Sequence, residues 1–419
     1  MTRQGIVALL GMVLGLGLAQ QPLPRAELVG FALLPPDTFA PGPASGAYRK
    51  TPGLRGTPEF GSQPVQGFSA VQFGPRAGSY WVLSDNGFGS KANSPDYLLR
   101  LYLVAPSPRT PQGGAGTVRV ERFIQLRDPN RLVPFPIVME SHPERPLTGY
   151  DFDPESFVFA ADGTLWVGDE FGPFLLRFDA NGVLLDPPFP TPDYGPGKDP
   201  TKDFVRAPQN PGLLLNPVGP GQPSPANLAT SRGFEGMTTN PERTRIYALL
   251  EGTVAGDPPG TLRLMEFDPL AKRWVGLVGL YRMDSPDHAI GELAVVNEHE
   301  YLVIERDNRQ GEEARTKRIY KIDLRRKGAD GVLAKELLVD LLDIADPRGL
   351  APSTREGTFR FPYFTIESVL VLDPQTLLVI NDNNYPATGG RGAGVKDATE
   401  FIWLRLPQPL NLAPGVGRP

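Results

Sequence analysis

Glu155 is followed by Asp169 and Glu170, Glu235 by Glu251, Glu292 by Glu305 and Asp307, and Glu367 by Asn381 and Asp382, while a weaker copy pairs Ser69 with Asp85 and Asn86. The separation to the first of the following residues is 13 to 16 positions each time, and apolar runs fill the interval. Two strands of about six residues joined by a tight turn have that length, and the turn returns the end of the pair beside its beginning. Acids from five hairpins can therefore converge on one rim. Carboxylates gathered about one axis repel, raising some pKa values, unless basic side chains or bound cations sit among them. Lys91, Arg232 and Arg306 are the nearest basic residues in sequence. The oxygen-rich donors of the rim suit Ca²⁺ or Mg²⁺ rather than zinc or copper, and calcium's flexible geometry makes it the better match. The candidate metal ligands are Asp85, Glu155, Asp169, Glu170, Glu235, Glu251, Glu292, Glu305, Glu367 and Asp382. A plainer alternative is that each glutamate only receives backbone N–H groups and holds neighbouring strands in register.

The elements that must position these acids repeat with them. Strand one is expected at 69–73, 155–159, 235–239, 292–296 and 367–372, and strand two at 80–83, 165–167, 246–250, 301–304 and 377–380. Third strands alternate apolar residues with Arg, Lys or Tyr, as in 98–104 and 262–267, and fourth strands follow at 118–126, 274–281 and 336–342. Four-stranded antiparallel units repeated about an axis are β-propeller blades, five by this count, with a sixth possible in the long insertions. The last repeat ends after its third strand, and Glu27 to Leu33 resembles a fourth strand, so an N-terminal strand is expected to complete the last blade and remove an exposed edge. Insertions at 35–66 and 186–231, rich in Pro and Gly, should overhang the acid face as a substrate-shaping rim or lie there as mobile decoration.

The 47 Gly and 47 Pro in 419 residues imply many turns and few long helices, and 40% hydrophobic residues give ample core. Arg3 and the apolar run from Gly5 to Leu18, with small residues before Gln20, read as a secretory signal peptide cut after Ala19. A single domain over 20–419 is then released to the periplasm or medium, with no membrane span and as a monomer. The absence of cysteine excludes disulfides, thiolate metal sites and cysteine nucleophiles, and a net charge of −5 without basic runs excludes a nucleic-acid partner. No G-x-S-x-G, P-loop, G-x-G-x-x-G or H-E-x-x-H is present. Of the three histidines, His299 falls in a turn on the opposite face, leaving His142 and His288 as the ones able to approach the acids.

Longer motifs carry a resemblance. Asp153-Pro154-Glu155-Ser156, Asp162-Gly163-Thr164-Leu165-Trp166-Val167-Gly168-Asp169-Glu170-Phe171-Gly172-Pro173, Arg232-Gly233-Phe234-Glu235-Gly236-Met237, Val303-Ile304-Glu305-Arg306-Asp307-Asn308 and Ile366-Glu367-Ser368-Val369 with Val379-Ile380-Asn381-Asp382-Asn383-Asn384 resemble the phytase-like family with esterase-like activity. Gln66 to Ala70 with Leu83 to Gly89 resembles that family's opening motif. The resemblance implies an exported β-propeller that hydrolyses phosphoric or other esters of a small-molecule substrate, with Ca²⁺ ions holding phosphate and activating water. On that expectation Glu155, Asp169, Glu235 and Glu367 are the candidate catalytic residues, and Lys91, Arg232, Arg306, Asn308, Asn381 and Asn383 the candidate substrate contacts. The alternatives are a non-catalytic ligand- or metal-binding propeller and a metal-independent carboxylesterase.

Overall fold

The computed structural model describes residues 24–219 and 222–418; the expected signal peptide lies outside them. The fold is all-β, with one five-residue helix at Pro211–Leu215. Three antiparallel sheets have four strands each, built in chain order from Pro154–Phe159 onward, from Phe234–Thr239 onward and from Ala289–Val295 onward. Two further four-strand runs lie in a larger sheet. One contains Phe68–Phe73, Tyr80–Ser84, Arg100–Ser107 and Thr117–Gln125, and the other Thr365–Asp373, Thr376–Asp382, Thr399–Arg405 and the N-terminal Glu27–Leu34. The parallel pair Leu33↔Thr117 joins the two runs, and beside it Phe31 and Arg109 exchange backbone hydrogen bonds.

The first two strands of each run are covered on both faces and almost wholly buried, even where polar residues intervene as in Phe234–Thr239. The first strands touch one another in cyclic order. Gln72 Nε2 donates to Phe157 O (3.2 Å), Ser156 Oγ to Phe234 O (2.9 Å) and Ser368 Oγ to Phe68 O (3.1 Å). Gly236 and Gly291 sit where an added Cβ would press on the next first strand, 3.1 Å from Gly291 O and 2.6 Å from Ile366 O. The N-terminal strand pairs antiparallel with the last, from Glu27↔Arg405 to Leu34↔Thr399, as the chain-end pattern predicts.

The second insertion does more than overhang the rim: its Phe189–Pro190 pairs with Phe174–Leu175 and is the fourth strand of its sheet. Buried Arg263 clamps it, reaching Asp193 (2.6 Å) and Asp257 (2.6 Å). Further along, the Ala207 amide (3.2 Å) and Asn210 Nδ2 (2.7 Å) both donate to Gly172 O, two residues from Glu170. The first insertion returns through Gln66, whose Nε2 donates to Asp85 Oδ1 (3.1 Å) and whose Oε1 accepts from the Tyr385 amide (3.1 Å). Both insertions are thus anchored at the acid end.

Candidate functional site

Each opening residue of the repeat is the extra residue of a β-bulge. Pairing steps from Pro154↔Asp169 to Ser156↔Gly168, from Phe234↔Leu250 to Gly236↔Leu249, and from Ile366↔Asn381 to Ser368↔Ile380, leaving Glu155, Glu235 and Glu367 unpaired. Ser69 has the same place in the first hairpin, and Gly291-Glu292 share it in the fourth. A bulge bends its strand and re-aims one side chain, so the repeat delivers its acids by a local backbone device as well as by hairpin length. Two glycines let the backbones close in. A Cβ on Gly233 would lie 2.4 Å from Glu170 Cα, and Gly67, at φ +65°, would put one 2.2 Å from Asp85 Oδ1.

The result is three overlapping triads of buried carboxylates whose facing oxygens lie within 4.8 Å of one another: Asp153, Glu155 and Glu170; Glu155, Glu235 and Glu367; and Glu170, Glu235 and Glu251. Glu170 and Glu235 are each 4% exposed, and Oε1 of each meets no hydrogen-bond partner among the described residues. Burial first, and then the neighbouring carboxylates, hold Glu155, Glu170, Glu235 and Glu367 well above the ordinary carboxylate range. Asp85 beside them is raised by burial and by Asp382 and Asp153. Asp382 rises to about 6 through burial, against the Asn384 amide and the Thr365 hydroxyl. Such a set of hard oxygen donors, with two of them unpaired, fits a divalent cation of the calcium or magnesium type.

Several expected residues are used otherwise. Asp169 accepts from the Asp153 (2.9 Å) and Gly172 (2.7 Å) amides, fixing the turn that carries Glu170, and burial lifts it to about 7. Glu292, 1% exposed, reaches across to the Val71 amide (3.2 Å) and stands apart from the triads. The plainer alternative, a backbone clasp, holds for this copy. Glu305 is turned away: it takes Tyr281 Oη (2.6 Å), the Asp284 amide (2.7 Å), His288 Nδ1 (2.7 Å) and Lys335 Nζ (2.7 Å). The reason is register. The fourth hairpin stays paired through Ala289↔Arg306, so strand alternation sends Glu305 and Arg306 to opposite faces. Asp307 caps the loop beyond, receiving the Arg315 and Thr316 amides and Lys317.

Among the basic and amide candidates, Arg306 does enter the cluster, 3.3 Å from Glu367 and 3.6 Å from Glu251, and Arg232 pairs with Glu251 at 2.7 Å. Lys91 Nζ donates to Tyr150 O and lies over the Tyr150 (4.4 Å) and Phe171 (5.0 Å) rings, with burial lowering its pKa. Exposed Asn308 accepts from Arg306 Nη1 (2.9 Å). Asn381 and Asn383 are committed to backbone, the first accepting the Glu400 amide (2.7 Å), the second the Gly67 amide (3.4 Å). Asp153 is the residue missed from sequence. Its position two before Glu155, in the Asp153-Pro154-Glu155-Ser156 motif, was the available signal.

A pH dependence follows for metal-free protein. Glu155, Asp169, Glu170, Glu235, Glu367 and Asp382 have folded pKa values above their unfolded ones of 3.8 to 4.5, so their contribution to stability is complete below that range and is lost as pH rises through about 6 for Asp382 and about 7 for Asp169. Melting temperature in chelator should fall from pH 4.5 to pH 7. A flat or rising melting curve over that window contradicts the arrangement.

A family model described as phytase-like, esterase-like activity of phytase, matches residues 63–385. An uncharacterized secreted protein of Arthroderma benhamiae is 29% identical over 108 residues, spanning 25% of this chain and 20% of that relative's length. Among solved structures, a protein from Lactobacillus plantarum (11% identity, TM-score 0.33) aligns over 87% of this chain and 76% of its own. An exo-β-1,3-galactanase from Clostridium thermocellum (10% identity, TM-score 0.42) aligns over 85% and 61%. A luciferin-regenerating enzyme (11% identity, TM-score 0.39) aligns over 94% and 97%. These structural likenesses are too loose to bear on chemistry. No helix among the described residues is long and apolar enough to cross a membrane.

Proposed function

Because the chain belongs to the phytase-like family, matched over residues 63–385, we propose that it is an exported five-bladed β-propeller that hydrolyses phosphoric or other esters at its acid face with the help of Ca²⁺. The observation that carries this reading is the pair of unpartnered, buried oxygens, Glu170 Oε1 and Glu235 Oε1, inside overlapping carboxylate triads. Unpaired carboxylates crowded in one cavity are costly, and a bound cation offsets that cost. Asp153, Glu155 and Glu170 would hold the ion. Bound there, it supplies positive charge against an anionic ester and acidifies a neighbouring water.

The chain's own groups do the rest. Glu235, its pKa raised by burial and by Glu251 and Glu367, is a base placed to accept the proton of the attacking water at Oε1. Arg232 and Lys91, both on the half-exposed margin, are placed to receive the ester's anionic oxygens. The two insertions, anchored at the acid end, are placed to wall the face and restrict water. A serine nucleophile fits poorly, since Ser69 is 1% exposed and its Oγ donates to Gly67 O (3.4 Å).

The test is a panel of phosphomonoesters, phosphodiesters and acyl esters, run on chelator-stripped protein with and without added Ca²⁺. Turnover of at least one phosphoric ester that appears only with Ca²⁺ is the expected result. Turnover confined to acyl esters and indifferent to chelator would point to the metal-independent esterase instead, and none on any substrate to a binding propeller.

A further inference from the structure

The carboxylates of the acid face are not equivalent in their charge partners. Asp153, Glu155, Glu170 and Glu235 make no ion pair among the described residues, whereas Glu367 is paired with Arg306 (3.3 Å) and Glu251 with both Arg232 (2.7 Å) and Arg306 (3.6 Å). Two of the three triads therefore contain an acid that already faces a guanidinium. Arg306 is itself 5% exposed, its Nη1 is spent on Asn308 (2.9 Å), and its buried Nε finds no partner. Burial acts against its charge, but Glu251, Glu367, Glu235 and Asp382 outweigh that effect. Strand alternation brings it there: the rung Ala289↔Arg306 is the counterpart of Thr365↔Asp382 in the fifth hairpin, and the fourth hairpin holds a cation where the fifth holds an acid.

From this geometry we infer that Arg306 is a resident counter-cation that fills the Glu251 and Glu367 side of the acid face and so limits how many metal ions the face accepts. This rests on the metal reading given above. The guanidinium is planar and permanently charged, and its fork can span two carboxylates that a hydrated ion would otherwise bridge. The Asp153, Glu155 and Glu170 seat is left for exchangeable metal, and Arg306 is a positioning residue that does not reach the substrate. Removing its charge opens a second seat at the triad of Glu155, Glu235 and Glu367.

The experiment compares Ca²⁺ stoichiometry, by equilibrium dialysis of chelator-stripped protein, in wild type, Arg306→Gln and Arg306→Lys. The glutamine variant is expected to bind one more ion per chain than wild type, and the lysine variant, which keeps the charge, the same number as wild type. Melting gives a second readout. Arg306→Gln should melt lower than wild type in chelator and regain most of the loss in Ca²⁺, because an ion then takes the guanidinium's place. The double variant Arg306→Gln with Glu367→Gln removes the pair together and serves as the folding control, with the wild-type ion count expected. Equal stoichiometry in wild type and Arg306→Gln, with a melting deficit that Ca²⁺ does not repair, overturns the inference while leaving the metal reading intact. No ion on any of the proteins overturns the metal reading itself.

Discussion

Glu235→Gln is expected to lower turnover of the preferred ester by about 100- to 1000-fold, the size found when a single positioned acid–base or charge-stabilising group is lost. Glu235 is a member of two of the three triads, and its Oε1 has no other partner to satisfy. The same substitution should raise the melting temperature of calcium-free protein. A carboxyl held up by burial and by Glu251, Glu367 and Glu170 is a destabilising group at neutral pH, and the amide removes that charge without changing its shape. Activity falling while metal-free stability rises is the signature of a group kept for function rather than for folding. A variant that loses stability first and activity only in proportion would assign Glu235 to the framework.

The opposite outcome is expected for Glu292, the copy of the same repeat residue that the fourth hairpin supplies. Glu292→Ala should cost about 3 kcal/mol in urea denaturation, through the emptied space and the buried Val71 amide left without an acceptor. Burial holds the Glu292 carboxyl well above its ordinary range, against the pull of the Val71, Met237 and Leu293 amides, so glutamine is close to its neutral form. Glu292→Gln should therefore stay within about 1 kcal/mol of wild type. Neither substitution should change Ca²⁺ binding. If Glu292→Ala leaves stability untouched, the clasp between the first and fourth hairpins is not a real constraint.

The contrast between these two glutamates marks where sequence spacing stops being informative. The hairpins themselves are legible, because alternation, turn residues and a separation of 13 to 16 positions all follow from strand length. Closure by Glu27–Leu34 is legible too, because the last repeat lacks a fourth strand. Register is not. In the rung Ala289↔Arg306, the counterpart of Thr365↔Asp382, Arg306 takes the inward place and Glu305 turns into the Tyr281, His288 and Lys335 network, and spacing does not say which of two adjacent residues faces inward. Nor does spacing tell an aspartate that shapes a turn, as Asp169 does with its two amide donors, from a glutamate one position later that faces the cluster. The bulges that aim Glu155, Glu235 and Glu367 are likewise invisible until strands are paired.

The acid face is expected to need a cation to work. The most direct test is a single Ca²⁺ titration of chelator-stripped wild-type protein in which melting temperature and phosphoric ester turnover are read from the same samples. Both are expected to rise over the same calcium range and to be lost when chelator is returned. Turnover that is independent of calcium, or a melting temperature that climbs while no ester is hydrolysed, would contradict it.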